Sequence, residues 1–195
     1  MDLKLLEEMA STCSLCELHK GRVNPVFSKG NPSSNIMICG MVPADEENKV
    51  GLPFVGRAGK LLDTIISTAG LSLNDVYITN LVKCYLSAGL LLQQDWIDAC
   101  LPYIITQISL IRPKVIITLG KDSSYSLLGL SNKVSIGSIR GKVFDYSEHI
   151  KIIPTYHPSY LLRGGGEKHR DYKKTTEDFL LSVTTGKGGE NGKDC

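Results

Sequence analysis

The heptapeptide KVIITLG, residues 114–120, is the most strongly β-prone segment of this 195-residue chain. Its apolar and β-branched residues follow one another without polar alternation, which is typical of a strand that is buried on both faces. The Arg112–Pro113 step precedes the run, and Gly120 ends it. The segment therefore predicts a central strand in a sheet that is covered on both sides.

Similar short apolar runs lie on either side of this segment, and stretches with helical periodicity separate them. This alternation of strands and helices predicts a three-layer α/β/α sandwich with a central, mainly parallel four-stranded sheet. The predicted core strands are 35–39, 76–79, 114–119 and 150–154, with an edge strand at 142–146. The predicted helices are a first one containing Leu3, Leu6 and Met9, and others at 57–69, 95–111, 121–128 and 172–183.

Composition is ordinary for a globular protein, with 42% hydrophobic and 22% charged residues. We predict a single domain over residues 1–185, followed by a flexible Gly-rich tail at 186–195. Apolar runs are too short to cross a membrane, and the first ten residues are too charged for a secretory signal. The expectation is a monomer in the cytoplasm, without membrane association.

Net charge is only +2, so the overall charge neither requires nor excludes a nucleic-acid partner. Between positions 163 and 174, however, five basic residues face two acidic ones. Such a local excess suits a polyanion, and a solvated helix face would explain it equally well. The basic residues are Arg163, Lys168, Arg170, Lys173 and Lys174.

Four cysteines have the arrangement of metal ligands. Cys13 and Cys16 form a C-x-x-C pair after the first helix, Cys84 follows the second strand, and Cys100 lies in a predicted helix. Their spacing leaves an iron–sulfur cluster, zinc and no metal open, although the wide gap between Cys84 and Cys100 favours the larger cluster core. The other two cysteines, one in a strand and one in the tail, are expected to be a buried apolar residue and an incidental one.

Three unusual loops leave the carboxyl ends of predicted strands, which is where α/β sheets bind ligands. Phe54 lies in the Pro- and Gly-containing loop after residue 39, where it is either a satellite hydrophobic contact or a stacking platform for a planar ring. Asn80 ends a strand, where it is either a turn residue or a reader of a base edge. His157 follows the last core strand, and a histidine in that position is either structural or a polar group of the site.

Apolar residues and a cation follow His157 in the segment HPSYLLR, residues 157–163. Leu161 and Leu162 beside Arg163 match a wedge that enters a base stack while the cation holds phosphate.

Taken together, these segments resemble the family-4 uracil-DNA glycosylases, the iron–sulfur branch of the uracil-DNA glycosylase superfamily. The similarity extends over nearly the whole chain, from about residue 3 to about residue 183. The matching stretches are CSLC at 13–16, GLPFVGRAGKLL at 51–62, YITNLVKC at 77–84, PKVIITLG at 113–120 and HPSYLLR at 157–163.

The resemblance implies DNA as the partner and a cofactor, a [4Fe–4S] cluster held by Cys13, Cys16, Cys84 and Cys100. It implies that Phe54 stacks on an extruded base, that Asn80 pairs with the polar edge of this base, and that His157 donates to the pyrimidine O2 atom. The DNA-binding residues implied by the resemblance are Ser159, Leu161, Leu162 and Arg163.

Two departures from the family concern the base site. Met41, in the motif GMVPA at 40–44, stands where the family has a water-orienting glutamate, and the motif is closer to that of the family-5 enzymes. One of Asp45, Glu46 and Glu47 could substitute for that carboxylate, and Met41 and Glu47 are therefore predicted to line the base site. In addition, the apolar stretch at 85–94 replaces a polar, Pro- and Arg-rich segment.

The leading hypothesis is a monofunctional glycosylase that extrudes a pyrimidine from DNA and hydrolyses its N-glycosidic bond, with uracil as the favoured base. One alternative is a glycosylase for another modified pyrimidine, such as a hypermodified cytosine of phage DNA, and it is motivated by Met41 and the apolar stretch. A second alternative is an inactive DNA-binding homologue. An iron–sulfur electron carrier has no support beyond the cysteines.

Overall fold

The computed structural model describes residues 1–131 and 134–187, and in this part of the chain six strands form one mixed sheet in the order β1-β3-β2-β4-β6-β5. The four central strands are parallel, as predicted. The four predicted core strands are confirmed, and a two-residue antiparallel strand lies at each edge of the sheet. One edge strand falls within the predicted segment 142–146, and the other was not predicted. The strands are β1 (Lys29–Gly30), β2 (Ile36–Gly40), β3 (Val76–Asn80), β4 (Val115–Leu119), β5 (Phe144–Asp145) and β6 (Lys151–Thr155).

Helices cover both faces of the sheet and form the outer layers of the predicted α/β/α sandwich. The described helices are α1 (Leu3–Ser11), α2 (Asp45–Val50), α3 (Arg57–Thr68), α4 (Gln94–Ile111), α5 (Lys121–Leu128), α6 (Ile136–Ile139), α7 (Pro158–Arg163) and α8 (Tyr172–Lys187). Within residues 1–131 and 134–187, none of these helices has both the length and the apolar character that a membrane span requires.

Two separate hydrophobic clusters fill the spaces between the three layers. One joins α1, α4 and α5 to one face of the sheet, and the other joins α3, α7 and α8 to the opposite face. Ile78, Ile38 and Ile117 are in register on three adjacent strands and are all fully buried. Since the strands contribute apolar residues to both faces, they lack the polar alternation of half-exposed strands.

Two helices occupy segments that were predicted as loops, α2 after β2 and α7 after β6. Three acidic residues begin α2, and Gly51, with φ of 81°, ends it in the left-handed conformation. Pro158 is the first residue of α7, a position where proline is favoured. These terminal residues are recognisable in the sequence and could have identified both helices.

The carboxyl-terminal helix α8 is longer than predicted and includes Gly186 and Lys187. These two residues were predicted to begin the flexible tail, so α8 extends into the first two residues of that predicted tail. The other residues of that predicted tail, 188–195, lie outside the described residues.

A buried carboxylate fixes the end of β6, from which His157 follows. Asp178 on α8 accepts a hydrogen bond of 2.5 Å from the Thr155 hydroxyl and is paired with Arg140. Burial raises the pKa of Asp178, although its bonds to Arg140 and Thr155 act in the opposite direction. The pairing therefore ties the strand that leads to His157 to the last helix.

Candidate active site

A cavity of about 220 Å³ opens at the carboxyl ends of β2, β3 and β6. We call it the base pocket. Its lining includes every residue predicted to read or surround a base, with apolar residues such as Leu86 between them. Parallel strands bring their carboxyl ends to one edge, so residues from distant parts of the sequence meet there. The predicted site residues in the lining are Met41, Glu47, Phe54, Asn80, His157 and Ser159.

Asn80 is the last residue of β3, and its side chain is buried with 2% exposure. Among the described residues its Oδ1 atom has no hydrogen-bond partner, which is costly for a buried polar group. Gly40, on the neighbouring strand, makes room for this side chain, because a Cβ atom there would lie 2.2 Å from Oδ1 and 2.6 Å from the Phe54 ring. The free acceptor and the glycine beside it are consistent with a site for an external hydrogen-bond donor.

Phe54 belongs both to the hydrophobic core and to the lining of the base pocket. Its backbone has φ of 53°, which is unusual for a residue other than glycine. Gly59 lets this backbone lie directly against α3, since a Cβ atom would come within 1.9 Å of the Phe54 carbonyl oxygen, and Lys29 donates to the same oxygen at 2.8 Å. The strained backbone is thus fixed from two sides, and the ring is preorganised.

His157 precedes α7 as its N-cap, and its Nδ1 atom accepts a hydrogen bond of 3.1 Å from the Ser159 backbone N–H. The Ser159 hydroxyl lies 2.7 Å from the same nitrogen. Because Nδ1 acts as the acceptor, the proton of the neutral ring is on Nε2. His157 is partly exposed at the pocket, yet desolvation, reinforced by the charge of Arg163, lowers its pKa from 6.5 to about 4. The side chain is therefore a neutral Nε2–H donor at neutral pH.

Among the three acidic residues that follow Ala44, the structure distinguishes Glu47 from the other two. Glu47 is buried, lines the base pocket, and accepts a hydrogen bond of 2.7 Å from the Ala44 backbone N–H. Asp45 and Glu46 are exposed and pair with Lys49. Glu47 is thus the acidic residue of this group that lines the pocket together with Met41.

The segment predicted to form a wedge is helical, and this changes the role of one leucine. Pro158 and Leu161 form the inward face of α7, where Leu161 is fully buried in the cluster shared with α3 and α8. The prediction that Leu161 contacts DNA is therefore wrong for this structure, because the helical period turns it to the core. Leu162 is half-buried and Arg163 is exposed.

The four predicted metal ligands line a second, smaller cavity, which we call the cysteine cavity. Cys13, Cys16, Cys84 and Cys100 are free thiols there. In the described part of the chain, no three His, Cys, Asp or Glu side chains are placed to ligate a single metal ion. Four thiols from distant parts of the chain thus meet at one cavity.

Hydrogen-bond donors already point at two of these sulfur atoms. Arg22 donates to the Cys84 sulfur at 3.3 Å, and the Lys83 backbone N–H donates to the Cys100 sulfur at 3.3 Å. Burial raises the pKa of the Cys84 thiol, and it raises the pKa of Cys100 to about 11. Burial thus favours neutral thiols despite the nearby Arg22 and Lys83 cations, and a metal centre bound here would stabilise the thiolates instead.

Comparison with known proteins gives one family. Residues 27–180 match the model of the "Uracil DNA glycosylase superfamily". The chain belongs to this superfamily. The resemblance seen in the sequence motifs is therefore confirmed.

Similar proteins from three organisms are named "Type-4 uracil-DNA glycosylase". The protein of Saccharolobus solfataricus is 44% identical, over 83% of this chain and 77% of its own length. The protein of Sulfurisphaera tokodaii is 40% identical, over 93% of this chain and 86% of its own. The protein of Thermotoga maritima is 39% identical, over 86% and 87% respectively. The similarity therefore covers most of each protein.

Sequence reasoning missed two residues of this superfamily member's site region. Leu86, in the apolar stretch 85–94, lines the base pocket, and the apolar character of that stretch was the available signal. Lys83 lines the cysteine cavity and is almost fully buried. Nothing in the sequence around Lys83 indicates a buried lysine, because burial of a charge depends on partners from other elements.

Proposed function

We propose that this protein is a monofunctional DNA glycosylase that extrudes uracil from DNA and hydrolyses its N-glycosidic bond. The observation that carries the proposal is the base pocket, in which an aromatic ring, a free buried amide oxygen and a neutral histidine donor surround one cavity. The similar proteins named as uracil-DNA glycosylases support uracil as the substrate.

Three side chains of the pocket match features of uracil. Asn80 can accept from the N3–H of the base through Oδ1 and donate to its O4 through the amide nitrogen. Phe54 offers a flat surface for stacking, at a ring distance of 6.0 Å from His157. His157 can then donate from Nε2 to O2, on the base edge that gains charge during the reaction.

Bond cleavage places negative charge on the departing uracil as the sugar becomes oxocarbenium-like. A fixed neutral donor at O2 stabilises this charge without transferring its proton. Water then adds its oxygen to C1′, and its released proton finally neutralises the uracil anion. Glu47 is the carboxylate that we assign to orient this water, in place of the glutamate that Met41 replaces.

Binding to DNA is assigned to residues around the pocket mouth. Ser159 holds His157 in its tautomer and lines the pocket, while Leu162 and Arg163 lie on the outer part of α7. The exposed guanidinium suits a phosphate contact, and Leu162 suits a contact with the bases beside the extruded nucleotide. The basic residues between 163 and 174 extend this surface.

The cofactor that we assign to the cysteine cavity is a [4Fe–4S] cluster bound by Cys13, Cys16, Cys84 and Cys100. Such a cluster would cross-link the segment after α1 to the loop after β3 and to α4, and its contribution would be structural. We further propose that residues 1–185 act as one monomeric domain in the compartment that contains the DNA, the prokaryotic cytoplasm and nucleoid.

The test is single-turnover excision with mass spectrometry of the released base, on single- and double-stranded oligonucleotides that contain uracil or other pyrimidines. We expect release of uracil, with a loss of about 10²-fold for Asn80→Ala. Asn74→Ala is the matched control, since Asn74 is exposed at the opposite end of β3. No uracil release from either substrate, or an unchanged rate for Asn80→Ala, would refute the proposal.

A further inference from the structure

Lys83 is among the largest fully buried side chains of the molecule, with 2% exposure. Its Nζ atom makes three hydrogen bonds, to Thr79 Oγ1 at 2.7 Å, to the Asn80 carbonyl oxygen at 2.6 Å and to Gln107 Oε1 at 2.7 Å. Burial of an amine at this depth is costly and needs a physical reason.

The three hydrogen-bond partners of Nζ favour its ammonium form, although burial lowers the pKa of Lys83 to about 8. The oxygens of the Asn80 peptide and the Gln107 amide can only accept, and the Thr79 hydroxyl already donates to the Phe27 carbonyl at 2.7 Å. Three acceptors require three N–H donors, and only the protonated amine supplies three. Lys83 thus brings a full positive charge into the protein interior.

Lys83 lines the cysteine cavity together with the four thiols. In the described ranges no Asp or Glu forms a hydrogen bond or an ion pair with its Nζ atom. Its own backbone N–H donates to the Cys100 sulfur, and the next residue is Cys84. A buried cation is stable when an anion lies close by, and a four-thiolate iron–sulfur cluster carries net negative charge.

The same side chain is hydrogen-bonded to the backbone of a residue that lines the base pocket. Its bond to the Asn80 carbonyl holds the peptide that carries the base-reading amide. The intervening residues are also fixed, since Leu81 N–H donates to the Gly40 carbonyl and Val82 N–H donates to the Met41 carbonyl, both at 3.0 Å. The segment 80–84 is therefore a short, rigid connection with one end in each cavity.

We propose that Lys83 is a positioning residue that couples the two cavities, balancing the charge of the cluster on one side and fixing the Asn80 peptide on the other. The role of Lys83 in fixing the Asn80 peptide rests on the proposed function; we call it the base-pocket half of the proposal, and the balancing of the cluster charge the charge-balance half. The charge-balance half depends only on the presence of the cluster.

The experiment compares Lys83→Met with Lys83→Gln in the full chain, purified without oxygen. Glutamine keeps N–H donors but has no charge, so it separates the two roles. Tyr77→Phe is the matched control, because the Tyr77 hydroxyl belongs to the same buried network, accepting from Gln107 at 2.8 Å. In the described residues this hydroxyl has no hydrogen bond to Asn80 or to a proposed cluster ligand. The measurements are iron content, cluster reduction potential, KM, and the single-turnover rate of uracil excision.

Both Lys83 variants should shift the potential to more negative values, since a nearby positive charge favours the reduced cluster. Lys83→Met should also lower the excision rate by about 10-fold or more, with little change in KM, and Lys83→Gln should lose less. Tyr77→Phe should resemble the wild type in both measurements. Lys83 variants that fold without binding iron would support the charge-balance role, provided that Tyr77→Phe has the iron content of the wild type.

An unchanged potential in variants that retain the cluster would overturn the proposal, as would an unchanged excision rate in Lys83→Met. If neither Lys83 variant folds while Tyr77→Phe does, Lys83 has only a structural role, and this result would also overturn the proposal. A wild type that releases no uracil refutes the proposed function instead, and the shift in potential still tests the charge-balance half.

Discussion

The base pocket and the cysteine cavity lie at the two ends of the segment 80–84, and they differ in the hydrogen bonding of the atoms that would meet a ligand. In the base pocket, the amide oxygen of Asn80 is buried and has no partner among the described residues. In the cysteine cavity, two sulfurs already receive hydrogen bonds. A ligand that enters and leaves needs free donors and acceptors, whereas a resident group needs ligands that are fixed in advance.

The sharpest way to break this comparison is to remove one ligand of the cysteine cavity. A bound iron–sulfur cluster should colour the protein brown, and Cys84→Ser or Cys100→Ser should remove this colour. Either change should also lower the melting temperature by about 10 °C or more and abolish excision, because the cluster would link three distant segments. Absorbance near ~400 nm, iron analysis and calorimetry measure these effects.

Cys39→Ala is the control, since Cys39 is a buried free thiol of β2 that lies outside the cavity lining. This variant should keep the iron and the colour. A colourless wild type with one zinc per chain would contradict the cluster assignment.

Changes in the base pocket should affect chemistry and leave the fold intact. His157→Ala should reduce the excision rate by about 10²-fold or more, with DNA affinity nearly unchanged, because its donor acts on charge that develops only during the reaction. His149→Ala is the control, as that side chain is exposed. Near-normal turnover of His157→Ala on every substrate would make His157 a structural residue.

The lowered pKa of His157 also predicts how stability depends on pH. The folded protein holds this group neutral down to about pH 4, whereas the unfolded chain protonates it near 6.5. The unfolded state therefore binds more protons between these values, and this contribution to stability is present above pH 6.5 and lost as pH falls towards 4. As pH falls over this range, the melting temperature of the wild type should decrease more steeply than that of His157→Gln. An equal decrease in both proteins would contradict the lowered pKa.

Intermediate effects are expected where the base pocket carries a carboxylate. Glu47→Gln should slow excision by about 10- to 10²-fold, since an amide orients water less well and cannot accept its proton. Met41→Glu restores the carboxylate of the family and should raise the rate by a few-fold at most if Glu47 already acts. Single-turnover rates of both variants and of Asp45→Asn, an exposed control, decide this. A large gain in Met41→Glu would show that the wild type lacks an effective carboxylate.

The smallest effects should come from the outer part of α7, at the border of the base pocket. Leu162→Ala and Arg163→Ala should slow excision from duplex DNA by about 10-fold and from single strands by less, because unstacking costs energy only in the duplex. Leu161→Ala should instead lower the melting temperature, as it opens a void in the core. Equal losses on both substrates would remove the wedge assignment of Leu162 and Arg163.

Most of the fold could be predicted because the information was local. The four core strands are short apolar runs, and three of them have glycine or proline at or near an end. The alternation of these strands with helices restricts the topology. The same rule placed Asn80 and His157 at one edge, where the structure brings them together with Phe54.

The remaining features depend on contacts that no local pattern encodes. Leu161 is buried because α7 is helical. The interpretation of residues 157–163 as a loop therefore placed its side chain towards DNA and not towards the core. The choice of Glu47 among three adjacent acids was decided by the direction of α2. The burial of Lys83 could be predicted only from its three hydrogen-bond partners, one of which, Gln107, lies on the distant helix α4.

The edges of the sheet have a consequence for behaviour in concentrated solution. Each edge is an antiparallel strand of only two residues, Lys29–Gly30 on one side and Phe144–Asp145 on the other, and each contains a charged residue. Long, flat edges expose rows of unpaired amide and carbonyl groups that can template the addition of strands from other molecules. These short, charged borders shield the four apolar strands behind them, so the hydrophobic centre of the molecule is protected from fibril-like growth while the chain stays folded.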